Sequence, residues 1–223
     1  MTNKRFAVIG GTDYDTNLGY ILLKELGFNA VKKSIKNTAI EQHYFQLNHN
    51  VNDYIINEIK ILKQQHHITH VLIYCVSVSG LINHFEIENQ TEVILITPHS
   101  SISNKLKNVE SLGILSANNL SANNFEKHIL NINKNCIVLK KAEINIVNDI
   151  EQNINPSEII KKYQIDRFIN NLIKNKTKNL LLGCTHFSYL FDKLSENNEI
   201  KILDVKLFIA QELNSTILYY DSV

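Results

Sequence analysis

Cysteine is scarce in this chain of 223 residues: Cys75, Cys136 and Cys184 are odd in number, widely spaced and contain no CxxC pair. That excludes a disulfide framework and a thiolate zinc site, so the thiols are expected to be free and reduced. Proline occurs twice, and no Gly/Ser-rich linker is present, so any domain boundary must be a compact crossover. No sign of charge dominates, with 23 Lys and Arg against 22 Asp and Glu. Without a basic field there is nothing to draw in nucleic acid or an anionic membrane, and a small-molecule partner is the expectation. No apolar run reaches membrane-spanning length, and the opening "MTNKRFAVIGG" is too short to be a signal h-region, which predicts a soluble, cytoplasmic protein. A third glycine is missing at the spacing that would make "GGT" a dinucleotide fingerprint. The heavy use of Asn, Ile and Lys is compositional bias and carries no functional reading.

What is present is an alternation of short β-branched apolar runs with amphipathic stretches of helical length, the pattern of βα units around a parallel sheet. Strands are predicted at 6–10, 70–75, 92–97, 111–115, 135–139, 179–184 and 201–203, with a weak one near 30–34. Helices are predicted at 17–27, about 40–48, 53–66, 119–130, 156–174, 187–196 and 205–220. The helix at 156 has Pro156 in its first turn, where a missing N–H costs nothing.

The chain also repeats itself. "LIYCVSVSGLI" (72–82) aligns with "LLGCTHFSYLF" (181–191), setting Cys75 on Cys184, Ser79 on Ser188 and Leu81 on Leu190 at an offset of 109 positions. At an offset of 106, "FAVIGG" aligns with "LGILSA" (112–117). The repeat predicts an α/β protein of two pseudo-symmetric lobes, each a mostly parallel sheet flanked by helices. Residues 1–98 would form the first lobe, with the C-terminal helix 207–223 packing back on it, and residues 99–206 the second. Ligands of open parallel sheets sit outside the carboxyl ends of the strands, so facing lobes would put Cys75 and Cys184 on opposite walls of one cleft.

One thiol on each side of a bound carbon suits removal of a proton from one face and its return to the other, with thiolate as base and thiol as acid. Ser77 and Thr185 are expected to cap the helices that follow the cysteines, and His186 to polarise Cys184 or meet a substrate carboxylate. Each residue also has a plainer reading. Cys184 alone would be a small residue ending a buried strand, and Cys136, inside "NCIVL", reads as core packing. Asp13 and Asp15 are candidate caps for a helix starting near Asn17, and "TPHSSISNKL" is a capped helix start. The histidines of "QQHHITH" (64–70) are expected to be solvated and not metal ligands.

These motifs carry a resemblance. "GCTHFSYL" resembles the Gly-Cys-Thr-His or Gly-Cys-Thr-Glu motif of the aspartate/glutamate racemase superfamily, and "VLIYCVSVSG" resembles its first-cysteine motif. "FAVIGGTDYDT" is similar to the Ile-Gly-Gly opening of aspartate racemases, and "SLGILSANNLSANNFEKHI" falls where the family has a Gly-Val-Leu-Ala-Thr strand and helix. The likeness runs from Arg5 to about Ala210. It implies cofactor-independent racemisation of aspartate or glutamate, with no metal, by Cys75 and Cys184. It further implies substrate contacts from Gly11, Thr12 and Asp13 after the first strand, from Val76 and Ser77, and from Thr185 and His186, and it suggests a homodimer. Two departures stand out: Val76 replaces the asparagine amide of Cys-Asn-Thr, and Ser116-Ala117 replaces Ala-Thr. They keep open a different carboxylate or a hydantoin as substrate. A catalytically silent binding protein and a Cys184-His186 hydrolase are the competing classes; for the latter, a Cys-His pair two residues apart at a strand-helix turn is awkward and has no evident orienting group.

Overall fold

The computed structural model describes residues 4–220. The chain divides into two units, Met1–Ser101 with Phe208–Val223, and Ile102–Leu207. In the first, β1 (Arg5–Gly10), α1 (Asp13–Glu25), β2 (Asn29–Ser34), α2 (Ala39–Asn48), α3 (Val51–His66), β3 (His70–Tyr74), α4 (Val76–Ser79), α5 (His84–Thr91), β4 (Ile94–Ile96) and α6 (Pro98–Ile102) follow in order. The second runs β5 (Ser111–Ser116), α7 (Asn119–Ile132), β6 (Ile137–Ala142), α8 (Asn145–Glu151), α9 (Pro156–Lys162), α10 (Ile165–Lys174), β7 (Asn179–Leu182), a 3-10 helix (Thr185–Leu190), α11 (Phe191–Ser195) and β8 (Lys201–Asp204). Helix α12 (Val205–Tyr220) closes the described chain, and the last three positions of the expected helix 207–223 lie outside the described residues.

Both sheets are fully parallel, and their strand orders, β2-β1-β3-β4 and β6-β5-β7-β8, are the same order four strands apart. The register repeats as well. Ala7 pairs with Val71 in the first sheet and Gly113 with Leu180 in the second, which are the sequence offsets of 106 and 109 read as hydrogen bonds. The duplication is therefore structural.

Alternation along the strands of the first sheet supplies two apolar faces. Phe6, Val8, Leu72, Tyr74 and Ile96 pack with Leu22 and Leu23 of α1 and with Ile209 and Leu213 of α12. Ala7, Ile9, Val71, Ile73 and Leu95 face the opposite way, onto Phe45 of α2, Ile55 and Ile59 of α3 and Ile87 of α5. Gly19 sits where α1 crosses β3; a Cβ there would stand 2.7 Å from Tyr74 and from Val8, too close for any side chain.

Several boundaries differ from those the sequence predicts. Helix α1 starts four residues before Asn17 because Thr12 caps it, accepting from the Asp15 amide at 3.2 Å. Asp13 and Asp15 are thus first-turn residues that favour the helix dipole and are not its caps. The helix predicted over 156–174 is broken at Gln164, whose φ of 50° is left-handed. The helix after Cys184 begins as a 3-10 turn and becomes α-helical only at Phe191. Strand β6 starts after Cys136, which is buried as expected, with burial pushing its thiol pKa up. The start of α6 is capped by Thr97, as expected, accepting from the Ser100 amide at 3.0 Å. Helices α5 and α8 have no counterpart among the predicted elements, and α4 is the helix expected after Cys75.

His70 corrects the reading of "QQHHITH". His66 and His67 are exposed, but His70 opens the central strand β3, is 5% exposed, stacks on Phe6 at 4.8 Å and bonds Thr69 Oγ1 through Nδ1 at 2.8 Å. Burial, then the charge of Lys4, pushes its pKa down to about 4.

Two outcomes are expected. Between about pH 6.5 and 4 the unfolded chain takes up a proton at His70 that the folded chain refuses, so stability present above pH 6.5 is lost as pH falls. Thermal melts over that range should show the loss, and His70→Leu should shrink it. Gly19→Ala should lower stability by about 1–3 kcal/mol in denaturant melts, because backbone or Tyr74 must move.

Candidate functional site

In an open parallel sheet the crevice lies where neighbouring strands leave in opposite directions. In the first unit that point falls between β1, which connects outward to β2, and β3 on its other side. The loop Gly10-Gly11-Thr12 emerges from one strand and Cys75 from the other. Gly11 has to be bare: a Cβ would stand 2.7 Å from Cys75 Sγ and 2.7 Å from Gln42 Nε2. Cys75 begins α4 without giving a side-chain cap. Ser77 does not cap it either, contrary to expectation, because its hydroxyl is taken up elsewhere.

Ser77 Oγ accepts from Gln42 Nε2 at 2.8 Å and Gln46 Nε2 at 3.0 Å, and lies 3.3 Å from Cys75 Sγ. Gln42 Nε2 also reaches Cys75 Sγ at 3.4 Å. Val76 is buried beside this cluster in the chain and offers no polar atom from its side chain. Thr12 is buried with its oxygen occupied as the α1 cap, Asp13 is exposed, and it is Asp15 that is buried, at 3% exposure. Of the residues expected around the first cysteine, Gly11 and Ser77 are in contact range of Cys75.

The second unit has the same crevice between β5 and β7. Cys184 follows β7, and its Sγ is 3.8 Å from His186 Nδ1, within range for a sulfur hydrogen bond. His186 Nε2 is 3.0 Å from Glu151 Oε1 of α8. The carboxylate accepts, so Nε2 carries the ring proton, and in the neutral ring Nδ1 presents its lone pair to the sulfur. The pairing that sequence spacing makes awkward is achieved by the tight 3-10 turn, which brings Cys184 and His186 together, and Glu151 is the orienting group. Thr185 is buried at 1% exposure. Ser116, which stands in place of an expected alanine, turns its hydroxyl to the Gly183 carbonyl at 3.4 Å, next to Cys184, so it serves the backbone.

The paired serines of the repeat do equivalent work. Ser79 Oγ bonds His99 Nδ1 at 2.7 Å and Ser188 Oγ donates to Asp204 Oδ1 at 2.8 Å. Each ties the helix after a cysteine to the segment at or after the fourth strand of its own sheet. Asp204 is held above the usual carboxylate range by burial, against the donors Lys206 N–H and Ser188.

Gln42, Gln46 and Glu151 are not among the residues the sequence motifs single out. The glutamines have a signal, since residues four apart beside Phe45 share the buried face of α2. Glu151 has little, because "EINIVNDIE" reads as β-branched and apolar and its helix is not predicted. Among the described residues no group of three or more His, Cys, Asp or Glu could hold a metal ion, and no helix is long and apolar enough to cross a membrane.

No protein-family model matches the chain. A stretch of 137 residues is 26% identical to the lipoprotein-releasing system transmembrane protein LolC of Buchnera aphidicola, covering 60% of this chain and only 34% of that protein. Solved structures match over nearly the whole length. Glutamate racemase from Francisella tularensis in complex with D-glutamate superposes with a TM-score of 0.73 at 16% identity, covering 99% of this chain and 83% of that one. An aspartate racemase homologue from Pyrococcus horikoshii gives 0.67 at 14% identity, over 96% and 98% of the two chains. Allantoin racemase from Klebsiella pneumoniae gives 0.66 at 14%, over 97% and 89%. With two parallel four-stranded sheets of identical order, each flanked by helices, the chain shares the mixed α/β fold of these racemase structures.

Proposed function

We propose that the protein is a racemase that inverts the α-carbon of a small amino acid, aspartate or glutamate, using Cys75 and Cys184 as a two-base pair and no cofactor. The observation that carries this reading is positional. Two cysteines occupy the same place after equivalent central strands of two units with one topology, and each has its own proton-handling side chains within hydrogen-bond range. The superfamily fold supports the same chemistry.

In the forward step the Cys75 thiolate takes the α-proton, leaving a carbanion delocalised into the substrate's carboxyl group. The Cys184 thiol then delivers a proton to the opposite face, and the pair ends with its protons exchanged. His186, aligned by Glu151, offers Cys184 a nitrogen through which its proton can come and go. Gly11, Thr12, Asp13, Val76, Ser77, Thr185 and His186 line the substrate on this reading. The thiols must stay reduced, which fits a cytoplasmic setting, and a homodimer with no nucleic-acid or membrane partner completes the proposal.

A second substrate class has an observation in its favour. Val76 puts an apolar side chain where an amide is expected to hold the α-carboxylate, and a cyclic ureide such as a hydantoin has no α-carboxylate to hold. The allantoin racemase in the fold comparison makes that class worth testing beside the amino acids.

Proton NMR in D2O with reduced protein and no added cofactor is expected to show loss of the α-proton of L-aspartate or L-glutamate, with the D-form appearing on chiral analysis. Cys75→Ser and Cys184→Ser should each abolish the inversion. Exchange only with a hydantoin would move the substrate to the second class; exchange with none, or an acyl-enzyme burst from an ester, would sink the racemase reading. Glu151→Gln should lower kcat/KM about tenfold, a fraction of a general base's usual share. Enantiomers have equal free energy in water, so the factor must be the same from either side.

A further inference from the structure

Four polar atoms meet at the first cysteine, and the bonds among them assign the serine proton. Ser77 Oγ has two lone pairs and one proton. Both lone pairs are occupied by amide N–H groups, from Gln42 at 2.8 Å and from Gln46 at 3.0 Å. The serine proton is therefore left to point at Cys75 Sγ, 3.3 Å away. Gln42 Nε2 carries a second proton, and Cys75 Sγ lies 3.4 Å from that nitrogen. The sulfur thus receives one O–H and one N–H, both offered to lone pairs that a thiolate has in greater supply than a thiol.

We infer that Gln42 is a positioning residue of the first half-site. It fixes the Ser77 hydroxyl, with Gln46 blocking the remaining lone pair, and adds its own N–H, so that Cys75 rests as the thiolate and serves as the base poised for the first turnover. The inference rests on the racemase reading for its catalytic meaning but not for its chemistry. Hydrogen bonds made to a charged form stabilise that form, and the resulting charge-assisted bonds are stronger than neutral ones. The donors are placed by the helix. Gln42 and Gln46 are four residues apart on α2, both under one-tenth exposed, and the helix start is fixed by a capping box in which Thr38 and Glu41 satisfy each other's backbone amides.

The charged or titratable groups on the surrounding segments include Asp13, Tyr14 and Asp15 of α1, Lys36, Glu41, His43 and Tyr44 of α2, Tyr74 beside the cysteine, and His99, which bonds Ser79 of α4. Lys36 Nζ lies 4.9 Å over the Phe45 ring, and the Glu41 carboxylate accepts from the Asn37 and Thr38 amides. None of these groups is altered by changing Gln42, so a shift on that change reports the amide.

The test needs no substrate. In a Cys136→Ser, Cys184→Ser background Cys75 is the sole thiol, and its ionisation is followed by ultraviolet thiolate absorbance and by the pH dependence of iodoacetamide alkylation. Gln42→Met and Ser77→Ala should each move the midpoint upward by about one pH unit, equivalent to about a tenfold loss of thiolate on the acid side. Gln46→Met should move it the same way by less. The Gln42→Met, Ser77→Ala double variant should add less than the two single shifts combined, because Gln42 acts partly through Ser77. A midpoint that stays put in both single variants, with far-ultraviolet circular dichroism unchanged, overturns the inference. Should Gln42→Met fail to fold, Ser77→Ala decides alone. Upward shifts in a protein that exchanges no α-proton would remove the racemase reading and leave the role of Gln42 standing.

Discussion

The surroundings of Cys75 depend on the close approach of two strand ends. Parallel strands β1 and β3 stop side by side, and the chain that continues from each has to fit the same small space. A side chain at Gly11 would collide with Cys75 Sγ and the Gln42 amide together. Because glycine stands there, sulfur, amide and hydroxyl can converge. The backbone of the same turn also steers the neighbouring loop: Gly10 O and Gly11 O accept from the Ile35 and Lys36 amides at 3.1 Å, fixing the path by which the chain leaves β2 toward α2 and its glutamines.

The two units share a scaffold and differ in how they handle protons. Strand order, register, the cysteine after the central strand and the anchoring serine four residues on are all repeated. Around the sulfurs the repeat ends. Cys75 meets neutral N–H and O–H donors carried by α2 and by Ser77, whereas Cys184 meets a ring nitrogen backed by a carboxylate from α8. Duplication accounts for the placement of both thiols, and divergence of the connecting helices for the groups that surround each.

Much of the fold is legible in the sequence because it is periodic. Buried parallel strands announce themselves as β-branched runs, and the repeat of "YCVSVS" on "GCTHFS" places both cysteines at strand ends. The features that escape sequence reasoning lie in short connections. Helices α5 and α8 have eight and seven residues, too few turns for an amphipathic pattern to rise above the background of Ile and Asn. His70 looks like part of a solvated histidine cluster because its burial comes from Phe6 and a neighbouring strand, which no local window contains. Glu151 is 35 positions from His186, and only the fold joins them.

On the proposed two-thiol reaction, free protein exists in two forms, with the proton on one sulfur or on the other, and each enantiomer uses one of them, which limits how far a resting thiolate is usefully favoured. Every unit of pKa difference is about 1.4 kcal/mol and a tenfold population ratio. A full cation beside Cys75 could push the ratio toward roughly a thousandfold, and inversion would then run uphill on the protein in one sense, slowing both hands alike because their kcat/KM values are tied together. Uncharged donors give a smaller bias. An amide and a hydroxyl suffice to define a resting base while keeping the opposite form populated at roughly a tenth for a one-unit bias. On the second side, the His186 ring nitrogen 3.8 Å from Cys184 Sγ gives that sulfur a proton-handling partner without a fixed charge. On the proposed racemisation, the difference between the surroundings of Cys75 and Cys184 suits a symmetric reaction that needs one thiol charged and one neutral at the start of every turnover.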